Sequence, residues 1–205
     1  MSYCNWGHTS PLNLKYHDCE WGVPVHDDYR QFEFLMLEVM QCGLNWNMMI
    51  NKREIFRRCF DNFDYDKIAA YTAQDIDRIM NTEGMIKSPR KIAAIINNAK
   101  CFQKIISEYG SFCNYIWGYS QGKTILYDRH SSGYIPASNG LSDIISRDLK
   151  KRGFNFLGTI VVYSHLQACG IINDHDKNCP RYAYINSHFP TIRQKPSQEK
   201  TVQKF

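Results

Sequence analysis

Residues 72–108 have the sequence TAQDIDRIMNTEGMIKSPRKIAAIINNAKCFQKIISE, and this stretch decides the fold class. Apolar residues recur at helical spacing over 72–81 and again, for longer, over 90–108. Between them lies GMIKSPRK, residues 84–91, where glycine and proline favour a tight connection. The stretch therefore predicts a short and a long helix joined by residues 84–91, the basic connection.

Helical spacing of apolar residues recurs on both sides of this pair. It predicts further helices over 27–41, 46–60, 142–152 and 158–169. Ser142 is the predicted N-cap of the third of these. Residues 159–163 are β-branched, but we favour a helix because the rest of the chain offers no strand to pair with them. With 119–139 predicted as a loop, the fold class is all-α.

Composition limits the class of protein. The 205 residues are 43% hydrophobic and 22% charged, which excludes a wholly disordered chain. No apolar run approaches the roughly 20 residues that span a bilayer, and the first residues lack the features of a signal peptide. We expect a cytoplasmic protein that does not engage membranes. Its eight cysteines are then reduced thiols or metal ligands.

The chain is predicted to form one domain over 1–182, followed by a polar, mobile tail over 183–205. The tail has four basic residues and one acid, so it contributes 4 − 1 = +3 of the net charge of +5. The body is only mildly basic, and any contact with nucleic acid must therefore be local.

Two cysteines and two histidines have the residue types of a zinc site. Cys4 and His17 lie near one end of the chain, and His175 and Cys179 lie near the other. Cys2His2 is a common closed tetrahedral set, which would make the metal structural and would join the two terminal segments. The alternative is that the two pairs are unrelated, since their separation is too large for a familiar zinc finger.

Glu38 follows Phe34 by one helical turn and lies on or beside an apolar face. A carboxylate held there must be paired or must await a ligand that donates hydrogen bonds. The alternative is an acid at the rim of the face that reaches solvent.

Aromatic residues are dense near the start of the chain. Trp6, Tyr16 and Trp21 are followed by Trp46, which comes directly after Asn45 and a predicted tight turn. Aromatic faces stack on flipped bases, although core packing is the alternative for each of them.

The basic connection has the composition of a phosphate contact. Lys87, Arg90 and Lys91 supply charge, and Ser88 stands at the start of the long helix. The alternative is an ordinary helix–helix connection with a solvated basic rim.

Together these residues resemble the 3-methyladenine DNA glycosylase I family, collinearly from about residue 3 to residue 182. The motifs are Cys4-x-Trp6, Tyr16-His17-Asp18-x-Glu20-Trp21-Gly22-Val23-Pro24, Gly43-Leu44-x-Trp46, Lys52-Arg53-Glu54, Lys91-Ile92-x-Ala94-Ile95, Lys151-Arg152-Gly153-Phe154-x-Phe156-x-Gly158-Thr159 and Gln167-Ala168-Cys169-Gly170-x-x-Asn173-Asp174-His175.

The resemblance implies a helix-hairpin-helix DNA glycosylase fold in which one structural Zn²⁺ joins the N- and C-terminal segments. It implies that Cys4, His17, His175 and Cys179 are the metal ligands. It also implies that Glu38 is the catalytic residue, that the base contacts are Trp46, Tyr16, Trp6, Trp21 and Asn45, and that DNA contacts the basic connection at Lys87, Ser88, Arg90 and Lys91.

The implied activity is that of a monofunctional repair enzyme. It would hydrolyse the N-glycosidic bond of 3-methyladenine in alkylated double-stranded DNA, release the base and leave an abasic site, acting as a monomer. Asn45, Asn47 and Pro89 depart from the family pattern. They favour the alternative, a non-catalytic or altered-specificity relative that binds DNA or an alkylated base.

Overall fold

The computed structural model describes residues 4–128, 130 and 135–195, and within these ranges the chain is mostly helical. The helices are α1 (Pro11–Cys19), α2 (Asp28–Gln41), α3 (Trp46–Cys59), α4 (Tyr65–Ala69), α5 (Ala73–Asn81), α6 (Pro89–Tyr109), α7 (Phe112–Gly118), α8 (Gly140–Lys151), α9 (Thr159–Ala168) and α10 (Pro180–His188). Short 3-10 helices span Asn5–Thr9 and Asp61–Phe63, and two strands are β1 (Thr124–Tyr127) and β2 (Thr191–Gln194).

The chain divides into two compact units. The first contains the described residues of 4–25, 116–147 and 158–195, and the second contains 26–115 and 148–157. The first unit therefore joins segments from the beginning and the end of the chain.

In the second unit, α2 is the central helix. Asp27 caps its N-terminus by accepting a 2.8 Å hydrogen bond from the backbone N–H of Arg30, and every residue from Gln31 to Met40 is buried. The long helix α6 packs against α2 and α4 through fully buried residues such as Ile95 and Phe102. Two acids, Glu33 and Glu38, lie within the buried stretch of α2.

In the first unit, β1 and β2 form a parallel two-stranded sheet in which Thr124 pairs with Thr191. The prediction of an all-α chain without strands is therefore wrong in this detail. Residues 159–163 are helical, as predicted, and the strands form elsewhere. β1 lies inside the predicted loop 119–139, and its four residues are all buried.

Two predicted boundaries also differ from the structure. The helix predicted from 142 begins at Gly140, because the side chain of Asn139 accepts a 3.0 Å hydrogen bond from the N–H of Ser142 and takes the capping role. Ordered structure continues beyond residue 182 through α10 and β2, so these elements belong to the first unit rather than to a tail. Residues 196–205 lie outside the described part of the chain.

Among the described residues, no helix combines the length and apolar character that crossing a membrane requires.

Candidate functional site

Four ligand atoms meet in the first unit. The ligand atoms of Cys4, His17, His175 and Cys179 all lie within 4.8 Å of one another, and all four residues are buried. Nδ1 of His175 is 3.2 Å from Nε2 of His17 and 3.6 Å from Sγ of Cys179. Sγ of Cys4 lies 3.7 Å from the same Nδ1. This Cys/His group could hold a metal ion, as the residue types predict.

Hydrogen bonds at the opposite ring nitrogens orient both histidines. Nδ1 of His17 lies 2.7 Å from a carboxylate oxygen of Asp18, and Nε2 of His175 lies 3.1 Å from the carbonyl oxygen of Trp21. With a proton on each of these outer nitrogens, the inner nitrogens present lone pairs to the centre of the group. Asp176 accepts a 2.6 Å hydrogen bond from the N–H of Cys4 and so fixes the backbone of that ligand.

Burial favours the neutral forms of two members of the Cys/His group, Cys4 and His175. Desolvation raises the pKa of the Cys4 thiol to about 12 and lowers the pKa of His175 to about 3. A divalent cation at the centre would compensate the cost of ionising buried thiols, since metal binding and thiol deprotonation are coupled.

The surrounding backbone is shaped to the Cys/His group. Gly22 has a φ of +77°, and a Cβ there would lie 2.9 Å from Nε2 of His175. A side chain at this position would therefore disturb a ligand as well as strain the backbone. The glycine of the Trp21-Gly22 motif has a steric reason to be there.

The residue before His175 is tied down by a buried network. The carboxylate of Asp174 lies 2.7 Å from Nδ1 of His130 and accepts hydrogen bonds of 2.6 Å from Tyr163 and 2.8 Å from Gln167. These contacts hold the segment that presents His175. The spacing of these residues along the chain does not indicate the network.

The three early aromatic residues pack around the Cys/His group. Ring centroids of Trp6 and Trp21 are 5.0 Å apart and nearly perpendicular, and Trp6 is 6.2 Å from Tyr16. Trp21 in turn meets the His175 ring edge-on at 4.5 Å. Tyr16 and Trp21 are buried and Trp6 is half-buried. The Cys/His group thus packs against these aromatic side chains.

In the second unit, Glu38 is a buried acid with little compensation. It is 5% exposed, and within the described ranges its carboxylate has no hydrogen-bond partner. Desolvation raises its pKa to about 8. The rim alternative for Glu38 is therefore wrong, because the side chain does not reach solvent freely.

Glu33 on the same helix shows what an ordinary buried acid requires. One of its carboxylate oxygens accepts 2.8 Å hydrogen bonds from both Arg53 and Arg57. Burial alone would raise the pKa of Glu33, but these two guanidinium groups hold it below its usual range. Glu38 lacks such partners, so its burial favours a role with a ligand.

The α2–α3 turn, residues 42–45, joins the helix that contains Glu38 to the helix that begins with Trp46. Gly43 in this turn has a φ of +76°. Asn45 is the N-cap of α3, since its side-chain oxygen accepts a 2.7 Å hydrogen bond from the N–H of Asn47. Trp46 is the first residue of α3 and is half-buried. Asn45, which departs from the family pattern, therefore has a structural role as the N-cap of α3.

The residues of the basic connection differ in exposure. Lys87 and Arg90 are exposed, and Ser88 is the N-cap of α6, accepting a 3.4 Å hydrogen bond from the N–H of Lys91. Pro89 occupies the first helical turn, where a missing N–H has no cost. Lys91 is 8% exposed, and its Nζ donates to the carbonyl oxygens of Met40 and Cys42. Its amine therefore faces inward rather than toward a phosphate.

Sequence reasoning missed the partners that orient the ligands. Asp18 follows His17 directly, and Asp176 follows His175 in the same way. The His17-Asp18 pair could have indicated its contact, because metal-bound histidines commonly donate to a carboxylate. Asp176 accepts from a backbone N–H instead, which a His-Asp pair does not indicate. The inward position of Lys91 had no comparable sequence pattern.

The chain is similar to known proteins of one family. The family model described as methyladenine glycosylase matches residues 6–182. Among curated proteins, DNA-3-methyladenine glycosylase 1 of Escherichia coli strain K12 is 40% identical over 182 residues, which cover 89% of this chain and 97% of the relative.

Solved structures show the same similarity. A variant of 3-methyladenine DNA glycosylase I in complex with 3-methyladenine is 38% identical, with a TM-score of 0.82 and coverage of 88% of this chain and 97% of the other. The Staphylococcus aureus 3-methyladenine DNA glycosylase I, described for its recognition of 3-methyladenine, is 39% identical, with a TM-score of 0.81 and coverage of 86% and 94%.

Proposed function

Because the chain belongs to the methyladenine glycosylase family, we propose that it hydrolyses the N-glycosidic bond of 3-methyladenine in alkylated double-stranded DNA. The products are the free base and an abasic site, and the enzyme is monofunctional. The observation that carries the proposal for this chain is Glu38, a buried carboxylate without a compensating partner among the described residues.

The chemistry of the substrate limits what the protein must supply. Methylation at N3 makes the nucleoside cationic, so the base departs nearly neutral and needs no strong general acid. The enzyme must extract the base from the duplex, bind it and stabilise a cationic sugar while water attacks. Electrostatic stabilisation is therefore worth more here than proton donation.

Glu38 is the proposed catalytic residue. With a pKa of about 8, it holds a proton at neutral pH before substrate arrives. A cationic base that donates from its amino group favours the ionised carboxylate, and a desolvated carboxylate stabilises developing positive charge more strongly than one in water.

Trp46 is the proposed stacking residue, since an aromatic face gains a cation–π contribution from a cationic base. Tyr16, Trp6 and Trp21 are proposed as further base contacts. Asn45 is included with a narrower role, because its side-chain oxygen already caps α3.

Contact with duplex DNA is proposed at the basic connection, with α5 and α6 as a helix-hairpin-helix element. Lys87 and Arg90 are exposed, and the 21-residue helix α6 has its N-terminus, the positive end of its dipole, at this connection. A helix N-terminus and two cations suit one or two phosphates. Ser88 supports the contact by capping α6. The amine of Lys91 faces inward, so Lys91 is not proposed as a phosphate contact.

One structural Zn²⁺ is proposed at the Cys/His group. A tetrahedral zinc with ordinary bond lengths separates two nitrogens by about 3.3 Å and a nitrogen from a sulfur by about 3.6 Å. The nitrogen pair is 3.2 Å apart, and the three measured nitrogen–sulfur distances are 3.6 to 3.7 Å. Four protein ligands leave no open position, so the ion would supply a cross-link between the terminal segments.

Single-turnover excision tests the function. Purified, zinc-loaded protein is mixed with methylated duplex DNA, and released 3-methyladenine is quantified. Glu38→Gln should slow release by about a hundredfold or more, and Glu54→Gln, which changes an exposed acid of the same unit, should stay within about twofold of wild type.

If wild type releases no 3-methyladenine, the enzyme assignment is rejected. If wild type then still bound duplex DNA with a strong dependence on salt, the non-catalytic relative would be the better description.

Two further predictions concern the protein as a whole. We infer that it acts as a monomer and in the cytoplasm. Light scattering of the purified protein at micromolar concentration tests the first, and fractionation of cells that express it tests the second.

A further inference from the structure

The ammonium group of Lys91 joins the start of α6 to the end of α2. Its Nζ donates a 2.6 Å hydrogen bond to the carbonyl oxygen of Met40 and a 2.7 Å hydrogen bond to that of Cys42. These carbonyls follow Glu38 by two and four residues, and the second belongs to the α2–α3 turn that leads to Trp46.

The ammonium group of Lys91 lies where a positive charge is favourable. The last carbonyls of a helix have no partner within it and carry the negative end of the helix dipole. A cation that donates there makes charge-assisted hydrogen bonds, which are stronger than neutral ones. Burying an ammonium group is costly unless it is bonded in this way, and Lys91 is 8% exposed.

The turn that Lys91 holds is otherwise closed mainly by local backbone hydrogen bonds, from the N–H of Cys42 to the carbonyl oxygen of Val39 at 3.3 Å and from the N–H of Leu44 to that of Gln41 at 2.6 Å. It leaves α2 at Cys42 with φ −41° and ψ 111°, passes through Gly43 at a φ of +76°, and re-enters a helix after Asn45. A turn through glycine has many accessible conformations. Fixing its carbonyls restricts the direction in which α3 begins and hence the orientation of Trp46.

We propose that Lys91 is a positioning residue, which sets the placement of Trp46 relative to Glu38 by holding the α2–α3 turn and does not itself contact DNA. This inference rests on the proposed function. It assigns Lys87 and Lys91, four residues apart in the basic connection, to two different tasks: phosphate binding for the exposed lysine and base-site geometry for the buried one.

The experiment compares Lys91→Met with Lys87→Met in the full chain. Lys91→Met should weaken binding of free 3-methyladenine by about tenfold and slow single-turnover release by up to about a hundredfold, since displacement by about 1 Å can cost that much. Its affinity for duplex DNA and the salt dependence of that affinity should match wild type. Lys87→Met should show the reverse: weaker, less salt-dependent DNA binding and unchanged affinity for the free base.

A purely structural role is excluded with a matched variant on the same helix. Asn97 donates a 2.8 Å hydrogen bond to the carbonyl oxygen of Gly153, so Asn97→Ala removes a comparable contact away from the turn. It should lower thermal stability without changing release. The indole N–H resonance of Trp46, assigned with Trp46→Phe, should shift in Lys91→Met and stay in place in Asn97→Ala. Lys91→Arg, which keeps charge and donors, should recover most of the release rate.

The outcomes separate the two hypotheses. Normal release and base affinity in folded Lys91→Met, with wild type active, would overturn this inference alone. So would a loss of DNA affinity with a lower salt dependence, which would make Lys91 a phosphate contact. Wild type that neither releases nor binds the base would overturn the proposed function and this inference together. If Lys91→Met does not fold, Lys91→Gln replaces it, and the same effects on base affinity, release rate and DNA affinity are expected.

Discussion

Sγ of Cys179 lies 3.7 Å from Nε2 of His17, although 162 positions of the chain separate the two residues. His17 belongs to α1, and Cys179 is the N-cap of α10. Bringing such distant segments together costs loop-closure entropy, which a shared metal ion would offset. The stability of the first unit should therefore depend on the proposed Zn²⁺.

The first prediction removes one ligand. Cys179→Ala should lose most of its bound zinc, measured by mass spectrometry of metals, because three ligands bind far less tightly than a closed set. Its thermal midpoint should fall by about 10 °C or more, since each kcal/mol shifts the midpoint of a chain of this size by about 2–4 °C. Cys19→Ala, which changes an exposed free cysteine, is the control.

Equal zinc content in Cys179→Ala and Cys19→Ala would show that Cys179 is not a ligand. A chelator should reproduce the effect of Cys179→Ala on wild type and add nothing further to the variant.

The second prediction concerns Glu38 and pH. Its pKa is about 8 in the folded protein, compared with the ordinary value of 4.5. Between these values the folded chain keeps a proton that the unfolded chain has lost, so Glu38 makes the protein less stable as pH rises from about 5 to 8. Glu38→Gln cannot titrate and escapes this loss. The advantage of Glu38→Gln should grow by a few kcal/mol across this range, since one pKa unit is about 1.4 kcal/mol.

Thermal or urea unfolding of both proteins at pH 5 and pH 8 measures this difference. A constant offset between wild type and Glu38→Gln at the two pH values would show that the carboxylate is already ionised in the folded state. Glu54→Gln, which changes an exposed acid of the same unit, is the control.

The third prediction concerns the stacking face. Trp46→Ala should weaken binding of free 3-methyladenine by about 10- to 100-fold, because stacking on an aromatic side chain contributes about 1–3 kcal/mol per base. Calorimetric titration gives the affinity directly. Trp117→Phe is the control, since Trp117 is buried and donates to the carbonyl oxygen of Val25. Equal affinities in wild type and Trp46→Ala would remove Trp46 from the base contacts.

Much of the helical framework was predictable because helices are encoded locally. The spacing of apolar residues gave α2, α3, α5, α6 and α9 to within a few residues. The sheet was not predictable in this way, since β1 and β2 are four residues each and are defined by pairing across 60 or more positions. A short strand has little periodicity of its own, and its partner decides its state.

The candidate site was likewise predictable only in part. The ligand types and the acid on an apolar helix were visible in the sequence, because chemistry restricts which residues can do such work. The roles of Asn45 and Lys91 were not visible. Each makes its main contact with the backbone, Asn45 by accepting from an N–H and Lys91 by donating to carbonyl oxygens, and any sequence provides such backbone groups.

The last prediction concerns Arg90, an exposed cation in the first turn of α6. If it neutralises one DNA phosphate, Arg90→Gln should lower affinity for all duplexes alike, because a phosphate contact carries no sequence information. The slope of log affinity against log salt should become shallower by about 0.9, the value for one released counterion on duplex DNA. Lys100→Gln removes an exposed cation further along the same helix and should leave the slope unchanged. Fluorescence anisotropy with methylated and unmethylated duplexes at several salt concentrations measures both slopes. Equal slopes in wild type and Arg90→Gln would place the DNA contact elsewhere.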